Sequence, residues 1–147
     1  MKYSHKLSDA IHILAYVDIF QDGDLSSQAI AGSIESNPSL VRRLMSLLVK
    51  AGLLATKPGT IAPKLACPAE QITMLAVFQA LDTDQRLLHV DEKTNPDCLI
   101  GSNIQATLDA AYDQVQKAAE AEMATITLDQ IIAGILERDA QKNSLTV

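Results

Sequence analysis

The chain has 147 residues, 48% of them hydrophobic but only 3% aromatic, with no Trp and a formal net charge of −6. That length holds one domain, or a small domain with an appended element, and a core of Leu, Ile, Val and Ala suits helices better than a β-sandwich. No apolar run approaches the roughly 20 residues of a membrane span, MKYSHKLSDA lacks the apolar segment of a secretory signal, and two cysteines are too few for a disulfide scaffold, so a cytoplasmic protein is expected.

An acidic total argues against a nucleic-acid partner until its distribution is read. Residues 1–67 carry seven Lys/Arg against five acids, whereas residues 68–147 carry five against thirteen. A mildly basic N-terminal part is compatible with phosphate binding by one local face.

Helical spacing of Leu7, Ala10, Ile11, Leu14 and Ala15 predicts a first helix from Ser4 to Phe20. His5 and His12 lie on it, in places typical of surface or core-edge histidines. After the turn QDGD, a short helix is expected over Leu25 to Glu35, with Ser26 and Ser27 as candidate caps. The break at Ser36 leads to Asn37–Gly52, NPSLVRRLMSLLVKAG. Asn37 is a capping residue, Pro38 suits the first helical position and Gly52 suits the left-handed position past the end. Wound at 100° per residue, Leu40, Val41, Leu44, Leu47, Leu48 and Ala51 fall on one side. Ser39, Arg42, Arg43, Ser46 and Lys50 fall on the other, with no acid among them. Two short helices across a tight turn, the second bearing cations outward, form a helix-turn-helix pattern.

Two strand-like runs, Leu53–Thr56 and Thr60–Ala66, flank the turn Lys57–Pro58–Gly59 and predict a small hairpin, a wing carrying Lys57 and Lys64. A helix over about 70–82 follows, then a polar stretch, 83–103, interrupted by Pro96 and Gly101 and containing Cys98. Ser102 or Asn103 is expected to cap a long helix reaching about Thr125. On it Ile104, Leu108, Ala111, Val115 and Ala118 recur at spacings of four and three, a heptad-like seam suited to a second subunit. Thr127 caps a short last helix expected to fold back on the long one. The fold class expected is therefore mainly α with a small β-hairpin wing. Residues 1–82 form a winged helix-turn-helix domain, 83–102 a connecting loop, and 103–147 the long dimerisation helix with a short C-terminal helix.

Four strings resemble the Rrf-two family of bacterial winged helix-turn-helix regulators, the family of IscR, NsrR and CymR. They are LSDAIHILAYV (7–17), NPSLVRRLMSLLVKAGLL (37–54), PAEQITMLAVFQAL (68–81) and HVDEKTNPDCLIGSNIQATLDAAY (89–112). The last, with its His…Asn-Pro-x-Cys-x-x-Gly stretch, is similar to the YwnA-like branch. The resemblance implies a homodimeric DNA-binding transcriptional regulator, a repressor on an inverted-repeat operator, with the long helices crossing between subunits. Ser39, Arg42, Arg43, Ser46 and Lys50 are then the DNA-contacting set, supported by Lys57 and Lys64. Two departures matter. Cluster-binding members carry three closely spaced cysteines where this chain has only Cys98, which argues against an iron–sulfur cofactor. The wing lacks the Gly-Gly pair and arginine of many members.

Cys98 is a candidate redox sensor whose thiol acidity stays open at this stage. Asp91, Glu92 and Asp97 would raise its pKa, the nearby helix N-terminus would lower it, and a packing role is the alternative. His89, Asp91 and Cys98 carry donor atoms whose chemistry allows a metal site as a minor alternative. No phosphate loop or nucleophile elbow points to an enzyme. The competing reading is a dimeric protein-interaction module that keeps the fold without DNA binding.

Overall fold

A computed structural model describes residues 4–56 and 62–145. The elements in order are α1 (Lys6–Ile19), α2 (Ser27–Ile34), α3 (Pro38–Lys50), β1 (Leu54–Ala55), β2 (Lys64–Leu65), a 3-10 turn at Ala69–Gln71, α4 (Met74–Ala80), α5 (Ile104–Met123) and α6 (Leu128–Leu145). The strands pair antiparallel, Leu54 opposite Leu65 and Ala55 opposite Lys64, so the described residues form six helices and one small two-stranded sheet, with the expected turn Lys57–Pro58–Gly59 lying outside them.

The core gathers one side of each N-terminal helix. Ala10, Ile13, Leu14 and Val17 of α1 meet Ile30 and Ala31 of α2 and Val41, Leu44 and Leu48 of α3, all essentially inaccessible to water. Burying a Leu or Ile side chain completely contributes about 1.5–3 kcal/mol. The apolar stripe of α3 is therefore fixed inward, and its polar side must face out.

Local signals set the helix ends. The Ser26 side chain accepts the Ala29 amide at 3.1 Å, and Asn37 accepts the Leu40 amide at 2.9 Å with Pro38 beside it. At the far end of α3, Gly52 adopts φ +77°. Its amide bonds the Val49 carbonyl, while Leu53 bonds that of Leu48, a Schellman closure that turns the chain straight into β1. The end of α2 uses the same left-handed conformation without glycine: Glu35 sits at φ 59° while Ser36 reaches the Ala31 carbonyl at 2.9 Å.

Three expectations are corrected. The helix expected over 70–82 is broken. Ile72 and Thr73 are extended, and Thr73 bridges Thr127 while its hydroxyl caps α4. The Met74 amide bonds Ile126, and Leu128 bonds back to Ile72, both at 2.8 Å. That bridge explains the second correction. It pins the start of α6 beside the 3-10 turn, and Leu128 and Ile132 enter the core of the N-terminal helices. The last helix is not short either: at 18 residues it is nearly as long as the 20-residue α5, and it packs on α1 and the turn instead of folding back on α5. Gln130 accepts the Thr127 amide at 3.3 Å, half of a capping box. Third, neither Ser102 nor Asn103 caps α5. Both side chains donate to the Leu99 carbonyl, and helix-like bonds from Ser102 to Cys98 and from Ile104 to Ile100 lead into the helix instead.

The two left-handed positions give opposite expectations. Glu35→Gly relieves a conformation that L side chains adopt at a cost and raises the thermal midpoint by a few degrees, whereas Gly52→Ala lowers it, each by about 1 kcal/mol. Thermal melts followed by circular dichroism check both signs.

Candidate nucleic-acid interface

Because Val41, Leu44 and Leu48 are buried, Ser39, Arg42, Arg43, Ser46 and Lys50 all lie exposed on α3. On a helix turning 100° per residue, Ser39, Ser46 and Lys50 occupy the middle of the outward face and the two arginines its flanks. The flanks have different neighbours. Arg42 leans toward α2 and donates to the hydroxyls of Ser27 (3.2 Å) and Ser39 (3.3 Å). A hydroxyl that accepts from a guanidinium keeps its own O–H to donate, so Ser27, Arg42 and Ser39 present three donor groups at the α2–α3 corner. Arg43 leans the other way and pairs with Asp82, just past α4. Asp82 also receives Lys6, from the start of α1, at 3.3 Å. The Arg43 hydrogen bond holds the Asp82 carboxyl below its ordinary value, assisted by Lys6 and opposed by slight desolvation.

On the Arg42 side, Arg42, Met45, Ser46 and Val49 line a shallow depression of about 350 Å³ that ends at Thr56, next to the hairpin. Lys64 is exposed on β2. Lys57 lies outside the described residues.

Sequence reading missed Ser27 as more than a cap candidate, and it missed Asp82 and Lys6 entirely. Asp82 lies 39 positions from Arg43 and Lys6 lies 76 from Asp82, so no helical or strand period relates them. The one available signal for Ser27 was that two adjacent serines compete for a single cap.

The long helix α5 is anchored by a polar clamp that periodicity also missed. Buried Gln116 accepts the Leu87 amide at 3.0 Å and donates to the Gln85 carbonyl at 2.7 Å, and Arg86 pairs with Asp113 at 2.7 Å. Of the seam residues, Ile104 and Leu108 are half-buried, while Ala111, Val115 and Ala118 are exposed, Val115 to 49%. A further apolar groove of about 720 Å³ runs between α1 and α6, lined by residues such as Ile11, Tyr16, Ile19, Phe20, Ile131 and Ile135. His12 closes one side of it with a 2.7 Å bond to Ser33 of α2.

Cys98 is exposed, and the structure decides the direction of its acidity. Backbone amides of Gly101 and then Ile100 point at the thiol and hold its pKa below the ordinary value, against slight desolvation. The spacing Asn-Pro-x-Cys-x-x-Gly has a steric reason. A Cβ on residue 101 would stand 2.2 Å from the Asn95 carbonyl oxygen, so only glycine lets the loop close and bring its amide to the thiol. Thr94 donates to the Gly101 carbonyl at 2.6 Å, and Asn95 accepts the Asp97 amide at 2.9 Å.

A helix pair with a cationic second helix, followed directly by a small antiparallel sheet and, after α4, by a long helix, defines a winged helix-turn-helix regulator. The comparisons with known proteins carry this further. The Rrf2 family description, "Iron-dependent Transcriptional regulator", matches residues 3–134, and the chain belongs to that family. It is 37% identical over 127 residues to YwnA of Bacillus subtilis (strain 168), a candidate HTH-type transcriptional regulator, covering 86% of this chain and 94% of that one. Among solved structures, one described as a candidate DNA-binding protein is 35% identical with TM-score 0.70, covering 86% of this chain and 98% of the other. CymR, the global cysteine regulator of B. subtilis, shares the fold at 19% identity with TM-score 0.64, covering 90% and 97%. No described helix is long and apolar enough to cross a membrane.

The donor set does not fit the iron implied by the family description within one subunit. Cys98 is the sole cysteine of the 83–103 segment, and Cys67 is half-buried against the core. Among the described residues no three His, Cys, Asp or Glu side chains converge, whereas a cluster needs four ligands, commonly thiolates.

Cys98 is therefore expected to be alkylated by iodoacetamide before Cys67, with a rate that levels off at a lower pH than for a free cysteine, because its thiolate forms at lower pH. Gly101→Ala abolishes the advantage. Peptide mapping across a pH series reads both.

Proposed function

We propose that the protein is a homodimeric DNA-binding repressor that lays its two copies of α3 in successive major grooves of an inverted-repeat operator. The observation that carries this reading is the outward face of α3. Its five cationic and hydroxyl residues are all exposed on a helix with no acid, in a chain whose net charge is −6. Arg42 with Ser27 and Ser39 suits a phosphate beside the first turn of α3, where the helix dipole also favours an anion. Lys50, Lys57 and Lys64 add phosphate attraction. A second copy suits the apolar surface left over. The exposed Ala111, Val115 and Ala118 of α5 let a helix approach closely, and the α1–α6 groove offers an apolar seat for it.

Binding to the gene's own upstream DNA is expected to fall steeply between 50 and 200 mM salt, as phosphate contacts release counterions. Arg42→Ala and Arg43→Ala are each expected to weaken binding at least tenfold without changing thermal stability by more than about 0.5 kcal/mol. Fluorescence anisotropy at two salt concentrations measures this, and wild-type affinity in both variants overturns the assignment. Val115→Glu is expected to shift the protein toward monomer in sedimentation velocity.

A redox response at Cys98 is part of the same proposal. The amide-supported thiolate, beside the start of α5, attacks one oxygen of hydrogen peroxide, the O–O bond breaks, and with a proton from solvent the products are the sulfenic acid and water. A low-molecular-weight thiol then displaces the sulfenic oxygen as a second water to give a mixed disulfide. Wild-type protein is expected to lose DNA affinity under peroxide with added thiol while Cys98→Ser does not. Equal loss in both removes the sensor role.

A further inference from the structure

Among the described residues, Asp82 is the one acid that pairs with the cationic face of α3. It comes from the chain segment just after α4, where Leu81 is buried and fixes the backbone. From there its two carboxylate oxygens divide their work, Oδ1 receiving Lys6 and Oδ2 receiving Arg43. Arg43 nevertheless remains 63% exposed. Only its NH2 group is engaged; NH1 and Nε make no intramolecular hydrogen bond among the described residues. Arg42 differs, since both of its terminal nitrogens already donate to serine hydroxyls.

That contrast separates two roles. A guanidinium is a rigid planar fork, so fixing one nitrogen fixes the direction of the others. Arg43 lies in the second turn of α3, in the N-terminal half of the helix that reaches base edges in a helix-turn-helix. The matching acceptor pair in the major groove is N7 and O6 of guanine. We propose that Asp82 is a positioning residue for base reading: it holds one edge of the Arg43 guanidinium so that the free N–H groups meet a guanine, while Arg42 with Ser27 and Ser39 takes the phosphate. This rests on the DNA-binding reading above and adds the base and the residue that selects it. A carboxylate at this place repels phosphates, so Asp82 lowers affinity for every DNA and raises the preference for the right one.

The experiment selects binding sites from random-sequence DNA with the wild-type protein. It then measures affinity for the enriched site, a scrambled site, and the enriched site with 7-deazaguanine, which lacks N7, at each guanine in turn. The wild type is expected to lose about tenfold at one guanine per half-site, and Arg43→Ala to be indifferent there. Asp82→Asn is expected to bind scrambled DNA two- to threefold more tightly and to show a specific-to-scrambled ratio reduced about tenfold. Asp82→Glu restores part of the ratio, and Asp82→Asn in an Arg43→Ala background changes it no further. A purely structural role would lower both affinities together, with a lowered thermal midpoint. An unchanged ratio in Asp82→Asn, or an equal 7-deazaguanine loss with and without Asp82, overturns this proposal while leaving DNA binding intact. Failure to enrich any sequence overturns the DNA-binding reading itself.

Discussion

The burial of Val41, Leu44 and Leu48 against α1 is the contact on which the rest of the structure depends. It sets the rotation of α3 about its own axis, and that rotation decides which side chains meet solvent. A turn of 100° in either direction would bury Arg42 or Arg43 at a cost no neighbouring group could offset. The Asn37 cap and the Gly52 closure hold the ends of the same helix, so its position along the axis is fixed as well. The hairpin then follows without a linker, because the Schellman turn hands Leu53 and Leu54 directly to the core.

Around this fixed helix the charges are deployed unequally. The two adjacent arginines are a single cationic patch in sequence but two separate devices in space. Arg42 joins the α2–α3 corner through hydroxyls that leave its charge intact. Arg43 joins α1 and the end of α4 through Asp82, with Lys6 leaving that trio one net positive charge. Being exposed, these ion pairs add little to stability; their effect is on direction.

The polar stretch from 83 to 103 is similarly ordered by particular bonds. Gln116 clamps its first part to α5, and the close approach of Gly101 to Asn95 shapes its last part around Cys98. This packing leaves apolar surface open on the α5 seam and in the groove between α1 and α6, and Leu99 and Ile100 stand exposed just before α5.

What the sequence determined alone is whatever depends on neighbours a few residues apart. The caps at Ser26 and Asn37, the left-handed Gly52, the inward stripe and outward cations of α3, and the length of α5 were legible because helical periodicity and capping are local. The Rrf2 membership was legible too, from strings spread over most of the chain. Tertiary structure alone decided the rest. Ile72 and Thr73 leave the helical conformation because Thr127 pairs with them from across the fold. The last helix goes to α1 because that bridge places Leu128 at the core. Cys98 gains acidity because a glycine three residues on can press against Asn95. Arg43 finds Asp82 because the end of α4 lies beside the second turn of α3. Each of these joins residues that no short period connects, and only the folded chain brings them within reach of a hydrogen bond.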